Sequence, residues 1–243
     1  MQINDSVVII TGAAARVGRE IALALATRGS KIAFTYYAPD EPWQETWAEI
    51  ESLGANCLAE QMEVRDAAQV QGFVRRVLER FGRIDVLINN AAVWLKSPFL
   101  QIQEADWDLA LDVNLKGPFL CAQAVAPVML RQNNGLILNI TDLSAFQVWP
   151  GYAHHAASKA GLVALTKSLA VELAPAVRVN AIAPGTVLLQ PDTPAEKIQW
   201  AVEKSLLKRV GTPQDVAQLV IFLMENDFTT GAIYFVDGGR SLV

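Results

Sequence analysis

The chain has 243 residues, 52% hydrophobic and 19% charged, which supplies one sizeable core and excludes a disordered chain. Its formal net charge is -5, with acidic and basic residues interspersed and no basic run, which argues against nucleic acid or an anionic membrane surface as partner. Cys57 and Cys121 stand far apart and outside any metal-ligand spacing, so no metal is expected, and a reducing cytoplasm fits. The first six residues lack a basic n-region and a long apolar stretch, and no uninterrupted apolar run reaches bilayer length. A cytoplasmic chain with no membrane partner is the expectation.

Along the chain, short β-branched runs alternate with segments of helical spacing. A strand over 7–11 leads to a helix over 17–28, a strand over 31–36 to a helix over 43–53, and a strand over 56–62 to a helix over 67–81. Strands follow at 85–89, 136–141, 177–183 and 233–236, with helices at 107–131, 155–173 and 213–224. Such alternation implies right-handed crossovers and a parallel sheet covered on both faces. The expected fold is α/β: a doubly wound, Rossmann-type, seven-stranded parallel sheet forming a single domain over 1–243. The proline-rich stretch 184–197 follows a strand end, where such folds keep their substrate crevice, and reads as a flap ahead of a short helix.

Between the first strand and the first helix stands Thr11-Gly12-Ala13-Ala14-Ala15-Arg16-Val17-Gly18. Small residues at this turn let the backbone approach a pyrophosphate at the positive end of a helix. By itself the loop reads equally as an ordinary strand-to-helix turn. The rest of the chain decides. The loop resembles the Thr-Gly-x-x-x-Gly-x-Gly fingerprint of the short-chain dehydrogenases/reductases, with Arg16 at the middle glycine. Asn89-Asn90-Ala91-Ala92 resembles that family's Asn-Asn-Ala-Gly, and Asn114 its mid-helix asparagine. Pro184-Gly185-Thr186, Arg209-Val210-Gly211-Thr212-Pro213, Thr230-Gly231 and Val236-Asp237-Gly238-Gly239 follow in the family's order.

The resemblance implies a nicotinamide dinucleotide held by Gly12, Arg16, Val17, Gly18, Tyr36, Tyr37, Glu63, Val64, Asn89, Ala91, Lys159, Pro184, Gly185 and Thr186. The acid that holds the ribose in NAD-dependent members is missing after the second strand, where Thr35-Tyr36-Tyr37-Ala38 stands. NADP(H) is therefore favoured over NAD(H), because a 2′-phosphate meets no like charge.

The family's chemistry uses Tyr-x-x-x-Lys with a serine thirteen residues before the tyrosine. Here Lys159 is present, but His155 stands at the tyrosine position and Asp142 at the serine position. Tyr152 lies one helical turn upstream of His155, further from the lysine. Imidazole both gives and takes protons near neutrality; Lys159 would oppose a charge on it, and Asp142 would support one and orient the ring. The other reading is that catalysis was lost here and a cofactor-binding shell remains, serving as a sensor or an assembly subunit. His154 reads as a solvent-side or packing residue.

Arg16, Asp142 and the ending Asp237-Gly238-Gly239-Arg240-Ser241-Leu242 resemble the pteridine reductase branch. That resemblance implies substrate contacts from Arg16, Trp94 and Asp142, with Asn114, Asp142, His155 and Lys159 as the catalytic set. Trp94 would stack on a flat heterocycle, or pack as a lid on Pro98 and Phe99. The expected reaction is hydride transfer to a small carbonyl or imine substrate, a pterin among them. The family resemblance also implies apolar outer faces on the two long helices, which pair between subunits, and hence a homotetramer, or a dimer at least.

Overall fold

The computed structural model describes residues 1–189 and 192–243. Seven strands form one sheet in the order β3-β2-β1-β4-β5-β6-β7, and every neighbouring pair is parallel. They are β1 Val7–Ile10, β2 Lys31–Tyr36, β3 Cys57–Gln61, β4 Val86–Asn89, β5 Gly135–Ile140, β6 Val177–Pro184 and β7 Ile233–Val236. The helices are α1 Arg16–Ala26, α2 Trp43–Ser52, α3 Ala67–Phe81, α4 Glu104–Leu111, α5 Gly117–Gln132, α6 Ala153–Glu172, α7 Ala195–Lys204 and α8 Pro213–Glu225.

The central strands β1 (VVII), β4 (VLIN) and β5 (GLILNI) are buried along their whole length, the mark of a sheet covered on both faces. On one face Ile10, Ile32 and Ile88 meet Ile21 and Leu25 of α1 and Val220 of α8. On the other, Ile9, Leu87 and Ile137 meet Phe73 and Val77 of α3 and Val125 and Met129 of α5. The strand order reverses between β1 and β4, and a doubly wound sheet opens its ligand crevice at the carboxyl ends of the strands at that point.

The expected doubly wound sheet is present, with adjusted boundaries. The helix foreseen over 107–131 is a longer unit, α4 and α5 joined by a π-turn at Asp112–Lys116. By length and composition this 104–132 unit could cross a bilayer, but 56% of its apolar window is buried inside the fold. The foreseen helix over 155–173 starts earlier, at Ala153, so His155 lies in its first turn. Within the expected flap, residues 190–191 lie outside the described residues, and its short helix is α7.

Candidate active site

The carboxyl ends of β1, β4, β5 and β6 open into one cleft of about 1770 Å³, larger than a pocket for a single small molecule. Its floor is the loop between β1 and α1. Gly12 has φ +63, and a Cβ there would come 2.9 Å from Ala91 Cα. A Cβ at Gly18 would come 2.5 Å from Asn90 Nδ2 and 2.6 Å from Gly12 O. Both positions therefore require glycine. Asn90 ties the two sides: its amide donates to Thr11 O (2.9 Å) and Gly12 O (2.7 Å), while Thr11 Oγ1 accepts from the N–H groups of Asn90 and Ala91, each at 3.0 Å. The α1 N-terminus has no side-chain cap, so its first N–H groups stay available to a phosphate. This cradle fits a dinucleotide.

Arg16, at the family's middle glycine, has φ +59. An L-residue held in that region is strained by about 1 kcal/mol, and its exposed side chain makes no ion pair among the described residues. Beyond β2, Tyr36 stacks on Trp43 with ring centroids 4.9 Å apart and planes 2° apart. The N–H groups of Tyr37 and Ala38 both donate to Glu41 Oε1, at 2.9 and 2.7 Å. The carboxylate missing from the end of β2 is thus returned to the same loop by Glu41, which lines the cleft. Glu63 is ion-paired to Arg65 at 2.6 Å, and the hydrogen bond from Arg65 holds its carboxyl below the usual range.

At the β5 end, Asp142 caps a 3-10 turn: its Oδ1 accepts from the Ser144 N–H (2.7 Å) and the Ser144 hydroxyl. Its Oδ2 lies 2.6 Å from His155 Nε2. Burial pushes the Asp142 carboxyl up, but hydrogen bonds from His155 and Ser144 and the charge of Lys159 outweigh it, and the net direction is down. Facing a carboxylate, Nε2 must carry a hydrogen. Nδ1 then lies between a donor, Asn114 Nδ2 (3.3 Å), and an acceptor, Val93 O (3.2 Å). A neutral ring accepts from Asn114; a protonated ring donates to Val93 O. Either charge state is satisfied, which lowers the cost of moving a proton through the ring.

The π-turn puts Asn114 in place. Its amide also donates to Val93 O (3.1 Å) and Ser158 Oγ (3.1 Å), and its Oδ1 accepts from the Val93 N–H (2.8 Å). One extra residue in a helical turn commonly marks a functional position. Lys159 Nζ donates to Ile140 O at 2.9 Å; burial lowers its pKa against the opposing pull of Asp142.

Trp94, 54% exposed, leans on His155 (4.4 Å between centroids), Tyr152 (5.0 Å) and Trp149 (5.9 Å). These aromatic contacts, rather than packing on Pro98 and Phe99, hold the indole. Tyr152 turns into this aromatic cluster.

Gly12, Arg16, Val17, Gly18, Tyr36, Tyr37, Glu63, Val64, Ala91, Trp94, Asp142, His155, Lys159, Pro184, Gly185 and Thr186 all line the cleft. Asn89 does not: its side chain is buried and donates to Asn139 Oδ1 at 2.8 Å, so it organises the β4–β5 seam. Asn114 stands behind the lining and reaches the cleft through His155. His154 is buried, with both ring nitrogens unpartnered among the described residues, and burial lowers its pKa. Sequence reasoning missed Asn90, Glu41 and Arg240. Asn90 was within reach, as the second polar residue of Asn-Asn-Ala, while the other two depend on loop geometry that no local pattern encodes.

Residues 12–241 match the family described as enoyl-(acyl carrier protein) reductase. The chain is 37% identical over 243 residues to a 3-oxoacyl-[acyl-carrier-protein] reductase of Synechocystis, covering 98% of this chain and 97% of that protein. Among solved structures it superposes with a TM-score of 0.92 on a short-chain dehydrogenase/reductase from Serratia marcescens, at 30% identity, covering 99% of this chain and 100% of that one. A 7α-hydroxysteroid dehydrogenase complexed with NADH and 7-oxo glycochenodeoxycholic acid superposes at 0.93, with 30% identity and coverage of 98% and 95%.

Proposed function

The chain belongs to the short-chain dehydrogenase/reductase superfamily, and within it we propose an NADP(H)-dependent reductase of a small carbonyl or imine substrate. The observation that carries this reading is the Asp142–His155–Asn114 chain of hydrogen bonds beside Lys159, at the cleft wall opposite the glycine cradle. The dinucleotide, when bound, supplies the hydride. Lys159 would hold its ribose, and His155 with Asp142 would handle the proton. The Nε2 hydrogen of a protonated ring would pass through the Asp142 carboxyl to the substrate, leaving a neutral ring whose Nδ1–H donates to Val93 O. The spent proton would be replaced from solvent through the cleft that Asp142 lines. Asp142 also bears on the substrate. An imine can take its proton before the hydride arrives, and the resulting iminium cation is stabilised by a neighbouring carboxylate. A carbonyl instead gains negative charge on oxygen as the hydride adds, which the carboxylate opposes; C=N is therefore the preferred bond. A pterin carries such a bond, and the half-exposed Trp94 face would stack on it.

For the dinucleotide, two observations pull apart. The N–H groups of Tyr37 and Ala38 form an anion cradle that a 2′-phosphate could take from Glu41, with Arg16, unpaired among the described residues, lining the same cleft. That supports NADP(H). The second reading, NAD(H), is favoured by Glu41 itself acting as the ribose acid, and a solved relative is complexed with NADH. Equilibrium titrations of wild type and Glu41→Gln separate them. NADP(H) use requires the variant to bind NADPH more tightly; loosened NADH binding, about tenfold or more, selects NAD(H).

A protein that binds dinucleotide without turnover is a second functional reading, favoured because both His155 nitrogens are engaged and the ring is 1% exposed. Oxidation of NADPH and NADH is the test, against dihydropterin, biopterin, quinone and ketoacyl substrates, with His155→Tyr alongside. Wild-type turnover on a pterin supports the imine reading, and turnover on ketoacyl substrates alone moves the substrate to the carbonyl class. Silence despite cofactor binding selects the non-catalytic reading. A homotetramer in the cytoplasm completes the proposal. Trp107, Phe119, Leu130 and Val171 on α4, α5 and α6 are exposed in the single chain, and a monomer by light scattering would sink it.

A further inference from the structure

We propose that the mouth of the cleft selects a flat substrate carrying a carboxylate, which docks on Arg240 while the reacting bond lies at His155. This deepens the reductase reading and rests on it.

Arg240 opens the last 3-10 turn of the chain. The turn is fixed by Asp237, whose carboxylate accepts from the N–H groups of Gly239 (2.9 Å) and Ser241 (2.7 Å). From it the Arg240 guanidinium enters the cleft between two indoles, 5.2 Å from the Trp149 ring centroid and 4.9 Å from that of Trp200. One side comes from the loop before α6 and the other from α7. Nη1 donates to Thr186 Oγ1 at 2.5 Å, which sets the guanidinium beside the Pro184-Gly185-Thr186 segment.

Among the described residues no carboxylate lies within ion-pair distance of Arg240; Asp237 acts on it only through space, and burial outweighs that attraction and lowers its pKa. A half-buried cation without a counter-ion is a costly arrangement unless an anion joins it. The indole faces recover part of that cost through cation–π attraction and hold the guanidinium fork in one orientation. Among the described residues only Nη1 has a protein acceptor, so the remaining N–H groups can bind a carboxylate through two hydrogen bonds. Lys96, Lys197 and Lys204 line the same cleft and give it a positive field. Asp142, the acid at the reacting wall, repels an anion there. The two charges therefore orient the substrate: reacting bond toward Asp142 and His155, carboxylate toward Arg240. The flanking tryptophans favour a flat, apolar body between them.

The test is isothermal titration calorimetry with 2-naphthoate and its neutral isostere 2-naphthamide, with and without saturating dinucleotide. Binding is read without turnover, so a failure of the reductase reading leaves this measurement intact. Wild type should prefer the carboxylate by about tenfold or more. Arg240→Gln should abolish the preference, and Arg240→Lys should keep part of it, since lysine retains the charge without the fork. Trp200→Leu leaves the guanidinium in place and should weaken binding of both compounds, which keeps the proposal testable if Arg240→Gln does not fold. Equal affinity of wild type for the two compounds, binding of neither, or a preference that survives in Arg240→Gln would overturn it and leave Arg240 as a clasp between the loop and α7.

Discussion

The two ends of the cleft are built from different material. At the β1 end the surface is backbone: two glycines whose missing Cβ atoms leave room of less than 3 Å, and N–H groups at an uncapped helix start. At the β5 end it is side chains: Asp142, His155 and Asn114 joined by hydrogen bonds, with Lys159 held beside them by the Ile140 carbonyl. Backbone surfaces tolerate few residue types, so the first end matches the family pattern closely, apart from Arg16. Side-chain surfaces can be rebuilt by replacing partners together, and in the proposed reductase His155 and Asp142 do at the second end what tyrosine and serine do in the family pattern. A pair that changes in concert can keep a proton path that either change alone would break.

The strongest way to break this contrast is Lys159→Ala or His155→Ala. Removing a positioned proton-transfer group should cost about 10²–10⁴-fold in turnover, about 3–5 kcal/mol, with dinucleotide affinity moved far less by the histidine change. Full turnover by His155→Ala would show that the ring carries no proton. Next in size is the backbone end. Gly18→Ala should lower stability by about 1–3 kcal/mol in urea unfolding and weaken dinucleotide binding in parallel, because the added methyl meets Asn90 and Gly12 O. A stable variant with wild-type affinity would mean that the loop yields more readily than its packing implies.

Arg16→Gly sharpens the comparison, since it restores the family residue. Unfolding should become harder by about 1 kcal/mol as the positive-φ strain is released, while affinity for dinucleotide or substrate falls. Unchanged affinity would remove Arg16 from the site. The smallest effects are in pH. His154 has a folded pKa below its unfolded value, so the unfolded chain takes up the proton first. Its contribution is present above pH ~6.5 and is lost as pH falls below that. Asp142 acts the same way lower down: its depressed carboxyl contributes stability above the ordinary carboxylate range, lost as pH falls through and below it. His154→Leu should flatten the upper part of the acid limb of thermal stability, and Asp142→Asn the lower part.

Several features were legible before any coordinates. Apolar strand segments such as Val7–Ile10 and residues 86–88 have no polar face, so they can only be central strands of a covered sheet, and Gly12 before α1 and Gly18 in its first turn mark places that no larger residue would fit. The spacing of Lys159, His155 and Asp142 also accounts for their meeting at one wall of the cleft, because four residues make one helical turn and the β5–α6 connection is short. Other assignments needed the folded chain. Asn89 reads as a cleft residue, yet strand alternation turns it into the β4–β5 seam. Asn114 reaches His155 only because a π-turn rotates it.

By itself, then, the order of residues determined the sheet, the glycine cradle and the list of groups at the reacting wall, since these follow from local periodicity and from the room a side chain needs. Tertiary structure alone decided that Glu41 returns a carboxylate to the β2 loop, that His155 Nδ1 lies between a donor and an acceptor, and that Arg240 sits between Trp149 and Trp200. Arg240 is 91 residues from Trp149 and 40 from Trp200 in the chain. Such contacts carry no local signature, because they are made by loops whose paths depend on where the sheet and helices have already placed their ends.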